Sequence, residues 1–135
     1  MSHNPTILIH QLLYPVTVLG PGKRVGIWFQ GCSIQCQGCM SKHMWSFDTK
    51  YEQSVDEIIF KISTIQNQFQ GVTISGGEPF DQPDGLLNLI KRLKSFKDIN
   101  ILVYTGYNYE FLAQQFFEII EFAKTRWFLD STFKE

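Results

Sequence analysis

No basic excess marks this sequence: 12 Lys and Arg stand against 13 Asp and Glu over 135 residues, a formal net charge of −1. A surface that binds nucleic acid ordinarily shows as clustered positive charge, so no nucleic-acid partner is expected. Long apolar runs are missing as well. None reaches the ~20 residues that cross a bilayer. The opening MSHNPTILIH has neither the basic start nor the unbroken apolar stretch of a secretory signal. A cytoplasmic protein with no membrane partner is the expectation. Repeats, low-complexity tracts and interdomain linkers are absent too, and the length suits one domain, residues 1–135, with a core of its own.

Cysteine is scarce, and its placement tells more than its number. All three, Cys32, Cys36 and Cys39, lie in GCSIQCQGCMSKHMW, residues 31–45, at C-x3-C-x2-C spacing. An odd, tight cluster fits a disulfide framework poorly. In a reducing compartment, clustered thiols bind metal or do chemistry. Three thiolates on one loop can hold a metal centre and leave one coordination position unfilled by cysteine. A cubane iron–sulfur cluster is held by thiolates, so three of them leave one iron to another molecule. Structural zinc is closed by four ligands, and His43 lies within reach at C-x3-C-x2-C-x3-H. Inert buried thiols are the third reading. The spacing alone leaves all three open.

Around this loop the pattern alternates between strands and helices. Residues 7–14 (ILIHQLLY) and 25–30 (VGIWFQ) predict strands, rich in β-branched and aromatic residues, with a turn at Gly20-Pro21-Gly22. A helix is expected from Ser54 to Phe69: Ser54 with Glu57 forms a capping box, and Val55, Ile58, Ile59, Ile62 and Ile65 recur at helical spacing. Val72–Ser75 predicts a short buried strand, Asp84–Phe96 a second helix and Ile99–Tyr104 another strand. Asn108 caps a third helix running to Ala123, whose Phe-rich face reads as core, and Trp127–Leu129 closes the series as a strand. Such alternation implies βαβ units and an α/β fold with a mostly parallel sheet. A full eight-unit barrel takes ~250 residues, so a partial, open (βα) barrel of about four to five units is expected. Ligands gather at the carboxyl ends of such strands. The cysteine loop, Gly76-Gly77-Glu78-Pro79 and Tyr104–Tyr107 each follow a strand end, so all three should meet on one rim.

The second of these segments has a chemistry of its own. Two glycines let the backbone approach a ligand closely and present amide N–H groups to a carboxylate, while Glu78 offers an acceptor to an ammonium group. A bare strand-to-helix turn is the competing reading.

Taken together, the cysteines and Gly76–Pro79 resemble the CxxxCxxC and GGEP motifs of the radical S-adenosyl-L-methionine (radical SAM) superfamily. Within it, the chain is similar to the small activating proteins of anaerobic ribonucleoside-triphosphate reductase. Gly20-Pro21-Gly22-x-Arg24, Phe29-Gln30-Gly31-Cys32, Trp45, Ser75–Phe80 and Tyr104-Thr105-Gly106-Tyr107 carry that likeness over roughly residues 7–130. Three departures stand out. Gly38 precedes the third cysteine where many superfamily members have an aromatic, as in the small activators. Leu19 stands where those activators often have an acidic residue. DSTFKE, residues 130–135, stands where they usually continue with a D-G-P-F-like segment, which bears on partner docking and on one edge of the active site.

The resemblance implies a [4Fe-4S] cluster on Cys32, Cys36 and Cys39, with SAM chelating the fourth iron through its amino and carboxylate groups. Gly76, Gly77, Glu78 and Thr105 would bind SAM, and Trp28, Phe29, Trp45 and Phe80 would form a dry aromatic shell. It further implies reductive cleavage of SAM to methionine and a 5′-deoxyadenosyl radical, which generates a glycyl radical on the large subunit of a partner reductase. A flavodoxin or ferredoxin would supply the electron. Two alternatives stand beside this: a radical SAM enzyme acting on a small molecule or peptide, and a zinc-stabilised Cys3His interaction module. Of the remaining residues, His43 reads as a surface histidine, Arg24 as a solvated arginine that begins a strand after the turn, and Trp28 as core.

Overall fold

The computed structural model describes residues 5–34, 42–65, 68–96, 99–123 and 129–130. Its apolar strands assemble as one six-stranded sheet. β1 (Thr6–Val16) and β2 (Arg24–Phe29) form an antiparallel hairpin around the Gly20–Gly22 turn. β4 (Gly71–Gly76), β5 (Asn100–Thr105) and β6 (Leu129–Asp130) then add in parallel, one beside the next, starting from β2. A short strand the pattern did not announce, β3 (Glu52–Ser54), pairs antiparallel with the outer edge of β1. The order is β3-β1-β2-β4-β5-β6, an open sheet with three of five pairings parallel. The expected mostly parallel α/β architecture holds.

Register explains which side the helices cover. Ile27 lies opposite Ile74, and Val72 opposite Ile101, so Val25, Ile27, Phe29, Val72, Ile74, Ile101 and Val103 share one face. Onto it pack Ile58 and Ile62 of α1 (Val55–Ser63), Leu86, Leu89, Ile90 and Leu93 of α2 (Pro83–Leu93), Leu112 of α3 (Tyr109–Gln115), and Ile119 and Ile120 of α4 (Phe117–Ala123). Phe80 joins this core and rests against Phe116, ring centroids 5.4 Å apart. The other face carries Arg24, Gly26 and Trp28 beside Thr73 and Ser75. Trp28 is therefore half-buried rather than core: strand alternation puts it on the face opposite Ile27 and Phe29, where its ring covers Gly26.

Three helices end earlier than periodicity suggests; α2 differs least, stopping at Leu93 rather than Phe96. α1 stops at Ser63 instead of continuing to Phe69. The Ser63 and Thr64 hydroxyls bond back to the carbonyls of Phe60 and Lys61, the local competition that weakens helices at such residues. The capping box of Ser54 and Glu57 is present in full at the other end. The single helix expected from Asn108 to Ala123 is two, because Phe116 leaves the helical conformation at φ −131, ψ 45. Only part of its aromatic face is core: Leu112, Ile119 and Ile120 are buried, whereas Phe111 and Phe117 are exposed. Of the last expected strand, Trp127 and Phe128 lie outside the described residues, and Leu129–Asp130 pairs with the end of β5.

Arg24 departs most from its expected role. Far from solvated, it is fully buried. Its Nε donates to Thr73 Oγ1 at 2.7 Å, Nη1 to the Pro21 carbonyl at 3.0 Å, and Nη2 to the carbonyls of Val72 at 3.1 Å and Asn100 at 3.4 Å. Thr73 in turn donates to the Leu19 carbonyl at 2.9 Å. The guanidinium fills the space where a side chain on Gly71 would sit. Burial lowers its pKa from the ordinary arginine value, yet five fixed donors keep a guanidinium charged. The Gly-Pro-Gly turn and Arg24 together staple the amino ends of β2, β4 and β5.

Candidate cluster and SAM site at the carboxyl rim

At the opposite end of the same strands, β2, β4 and β5 deliver three loops to one place. The amide of Gly77 donates to the Phe29 carbonyl at 3.0 Å, and the amide of Glu78 to the Gly31 carbonyl at 2.8 Å. The turn after β4 thus lies directly on the entry to the cysteine loop. Such contact demands glycine. Gly76 has φ 124, and a Cβ there would fall on the backbone of Phe29; a Cβ on Gly77 would fall on the carbonyl oxygen of Gly31. Only hydrogen fits at this close approach.

Glu78 is the buried charge of the rim, 1% exposed. Its Oε2 accepts from the Phe80 amide at 2.9 Å and from Thr105 Oγ1 at 2.8 Å, and its Oε1 accepts from the Gly106 amide at 2.7 Å. Among the described residues no cation reaches it. Burial therefore dominates over these bonds and pushes its pKa up from 4.5 to about 7. One lone pair on Oε1 is left without a donor among the described residues. A buried carboxyl short of a counter-charge is chemically suited to a ligand that brings an amino group.

The cysteine loop is closed at its neck. The amide of Gly31 donates to the Met44 carbonyl at 2.7 Å and that of Cys32 to the Trp45 carbonyl at 3.0 Å. Inside the neck, the buried Gln30 side chain donates from Nε2 to the carbonyls of Ser46 at 2.9 Å and His43 at 3.2 Å, while its Oε1 lies 3.0 Å from His10 Nδ1. Cys32 is buried; Cys36 and Cys39 lie outside the described residues. His43 is exposed, its ring 5.1 Å from that of His10. Next to the neck, Asp81 accepts from the Ser33 amide at 2.6 Å and from the Tyr107 hydroxyl at 2.7 Å. Burial, followed by Asp81's own bond and charge, drives the Tyr107 pKa up to about 12 despite the opposing Ser33 bond.

With this geometry in view, comparison with known families is decisive. The 4Fe-4S single cluster domain family matches residues 18–135. The chain belongs to that family.

Relatives sharpen the placement. The chain is 34% identical to the anaerobic ribonucleoside-triphosphate reductase-activating protein of Haemophilus influenzae over 112 residues, 76% of this chain and 70% of that one. It is 34% identical to the protein of the same name from Vibrio cholerae, over 70% of this chain and 65% of the relative. To the pyruvate formate-lyase-activating enzyme of Clostridium pasteurianum it is 31% identical, over 75% and 44% respectively. The chain thus spans just under two thirds of the Vibrio protein and less than half of the Clostridium one. QueE from Escherichia coli shares the fold, with TM-score 0.62 at 20% identity over 75% of this chain and 52% of that one. The likeness to radical SAM activating proteins drawn from the motifs holds, and the single-cluster family sets iron–sulfur ahead of zinc.

In this 4Fe-4S family member, the structure brings Cys32, Gly76, Gly77, Glu78 and Thr105 together on one rim. Thr105 stands behind Glu78: its hydroxyl donates to that carboxyl and accepts from the Tyr107 amide at 3.1 Å. Phe29 and Phe80 are core, not shell, while Trp45 is half-buried at the loop neck. Sequence reasoning passed over Asp81, Gln82 and the side chain of Gln30. Gln82 accepts from the Leu8 amide at 2.8 Å and donates to the Gln30 carbonyl at 3.0 Å, tying β1 to the end of β2. The available signal was the polar pair Asp81-Gln82 directly behind an apolar turn.

Proposed function

We propose that this protein is a radical SAM enzyme that generates a glycyl radical on a partner anaerobic ribonucleotide reductase. Cys32, Cys36 and Cys39 would hold a [4Fe-4S] cluster. Gly76, Gly77 and Glu78 would hold the methionine end of SAM, with Thr105 keeping the Glu78 carboxyl in place. Bound there, such a cluster would supply the electron for reductive cleavage of SAM, the chemistry that would lead to hydrogen abstraction from the partner's glycine.

One observation carries this reading: the Glu78 amide is bonded to the carbonyl of Gly31, the residue before Cys32. The glycine cradle and Cys32 are therefore neighbours, and a molecule seated in the cradle would lie beside whatever the cysteine loop holds. The cradle's backbone would fix orientation, and the Glu78 carboxyl, which no cation reaches among the described residues, would receive an amino group. The names of the Haemophilus and Vibrio relatives support a reductase as partner. No helix among the described residues is long and apolar enough to cross a membrane. A cytoplasmic protein without membrane or nucleic-acid partners, reduced by a flavodoxin or ferredoxin, completes the proposal.

Anaerobic purification with iron and sulfide analysis, then dithionite reduction with SAM, tests it. Formation of 5′-deoxyadenosine is expected, and an intact cluster that yields none defeats the proposal. Cys36→Ala should remove cluster and turnover, whereas His43→Ala should spare both; metal lost with His43 would restore the zinc reading. A glycyl radical on a co-purified reductase subunit separates this activity from that of a small-molecule radical SAM enzyme.

A further inference from the structure

Asp81 belongs to neither motif, yet both of its carboxylate oxygens are committed. Oδ2 takes the amide of Ser33, the residue immediately after Cys32, at 2.6 Å. Oδ1 takes the Tyr107 hydroxyl at 2.7 Å, and that hydroxyl lies 3.3 Å from Ser33 Oγ. Asp81 itself sits in the short turn Pro79–Asp81, its own amide donating to the Glu78 carbonyl at 3.0 Å. One carboxylate therefore joins the loop after β2, the turn after β4 and the loop after β5. Charge-assisted bonds of this length are the strong kind, and among the described residues no backbone bond replaces them beyond Gly31 and Cys32, whose amides are spent on the loop neck.

The placement is specific. Glu78 faces Gly106 and Thr105, whereas Asp81 grips the outgoing chain of the cysteine loop. Ile34 lies on Gly106, where a Cβ on that glycine would come within 2.9 Å of Ile34 Cδ1. Releasing Ser33 removes the bond that ties the chain just after Cys32 to the turn after β4 and, through Tyr107, to the loop after β5.

We propose that Asp81 is a positioning residue that fixes Cys32 and the start of the cluster loop against the β5 rim through Ser33 and Tyr107. Its consequence for turnover rests on the reading of Cys32 as a cluster ligand; its consequence for the loop does not. The side chain touches neither cluster nor SAM in this role. It holds the thiolate-bearing backbone in register with the Gly76–Glu78 cradle.

Hydrogen exchange of the as-isolated protein, wild type against Asp81→Ala, Asp81→Asn and Tyr107→Phe, tests the loop claim directly. Amide exchange in the peptide containing Ser33 should quicken about tenfold in Asp81→Ala, with exchange in α2 unchanged. Asp81→Asn should fall between, since its single carbonyl oxygen can keep only one of the two bonds that the carboxylate accepts. In the reconstituted protein, Asp81→Ala should retain its iron, lose the SAM-induced change in the reduced cluster's EPR signal, and make 5′-deoxyadenosine about tenfold more slowly. Exchange at Ser33 and an EPR response both equal to wild type overturn the proposal, as does a lowered Tm with neither readout altered. If Asp81→Ala does not fold, Tyr107→Phe decides: it should move both readouts in the same direction, and no change in either refutes the positioning role. A wild type that holds no cluster defeats the cofactor reading alone, and exchange at Ser33 still judges Asp81.

Discussion

Both ends of the parallel strands bury an ionisable side chain that meets no opposite charge among the described residues, and the two are handled differently. At the amino rim, Arg24 is fully enclosed by neutral acceptors: one hydroxyl and three carbonyls. A guanidinium stays charged in such surroundings because its donors are nearly all used. At the carboxyl rim, Glu78 has three donors, but burial outweighs them and its pKa rises to about 7. The arginine is a finished structural joint. The carboxyl is unfinished, and it stands beside the glycine cradle where a ligand would complete it. Strand ends of an α/β sheet divide this way in general, with stability at the amino end and chemistry at the carboxyl end.

Breaking the amino-rim joint should have the largest effect. Arg24→Ala leaves four buried acceptors short of a donor and opens a cavity, at a cost of about 4 kcal/mol, measurable by urea denaturation. Cluster content per folded molecule should not change; a selective loss of cluster would break the division between rims.

Titrating the carboxyl rim comes next. The folded protein holds the Glu78 proton more tightly than the unfolded chain does. Its contribution to stability is thus fully present below pH 4.5 and lost as pH rises through about 7, a span worth about 3 kcal/mol. Glu78→Gln removes this dependence, so the stability difference between wild type and variant should shift by about that amount between pH 4.5 and 8. A constant difference would mean the carboxyl is not strained by burial.

Gly77→Ala should act more on binding than on folding. The added methyl displaces the Gly31 carbonyl, and SAM should bind at least about tenfold more weakly, or about 1.4 kcal/mol, by equilibrium binding to the reconstituted protein. The smallest effect belongs to a site away from both rims. Asn108 caps α3 by accepting from the Phe111 amide at 2.8 Å, and Asn108→Ala should cost about 1 kcal/mol without altering SAM binding.

Much of this comparison could be read from the residues themselves. Strand and helix alternation announced the open parallel sheet, and strand ends announced that the three loops would meet. The capping residues Ser54 and Asn108 fell where their chemistry requires. Periodicity failed where a single residue decides: at Phe116, whose backbone breaks one helix into two, and at Thr64, whose hydroxyl ends another. It failed on Arg24 as well, because an arginine after a turn gives no local sign of the neutral oxygens that two other strands and the turn bring around it. The same is true of Asp81, whose partners are 48 and 26 residues away. Motifs reveal the residues that would meet the ligand; those that hold the motifs together emerge only from tertiary contact.

The most direct test of the account is the EPR spectrum of the dithionite-reduced, reconstituted protein, recorded with and without SAM, for wild type and Gly77→Ala. A cluster signal should appear in both proteins, and SAM should change it in the wild type but far less in the variant. An equal change in both, or none in the wild type, would contradict the assignment of the carboxyl rim as the place where cluster and SAM meet.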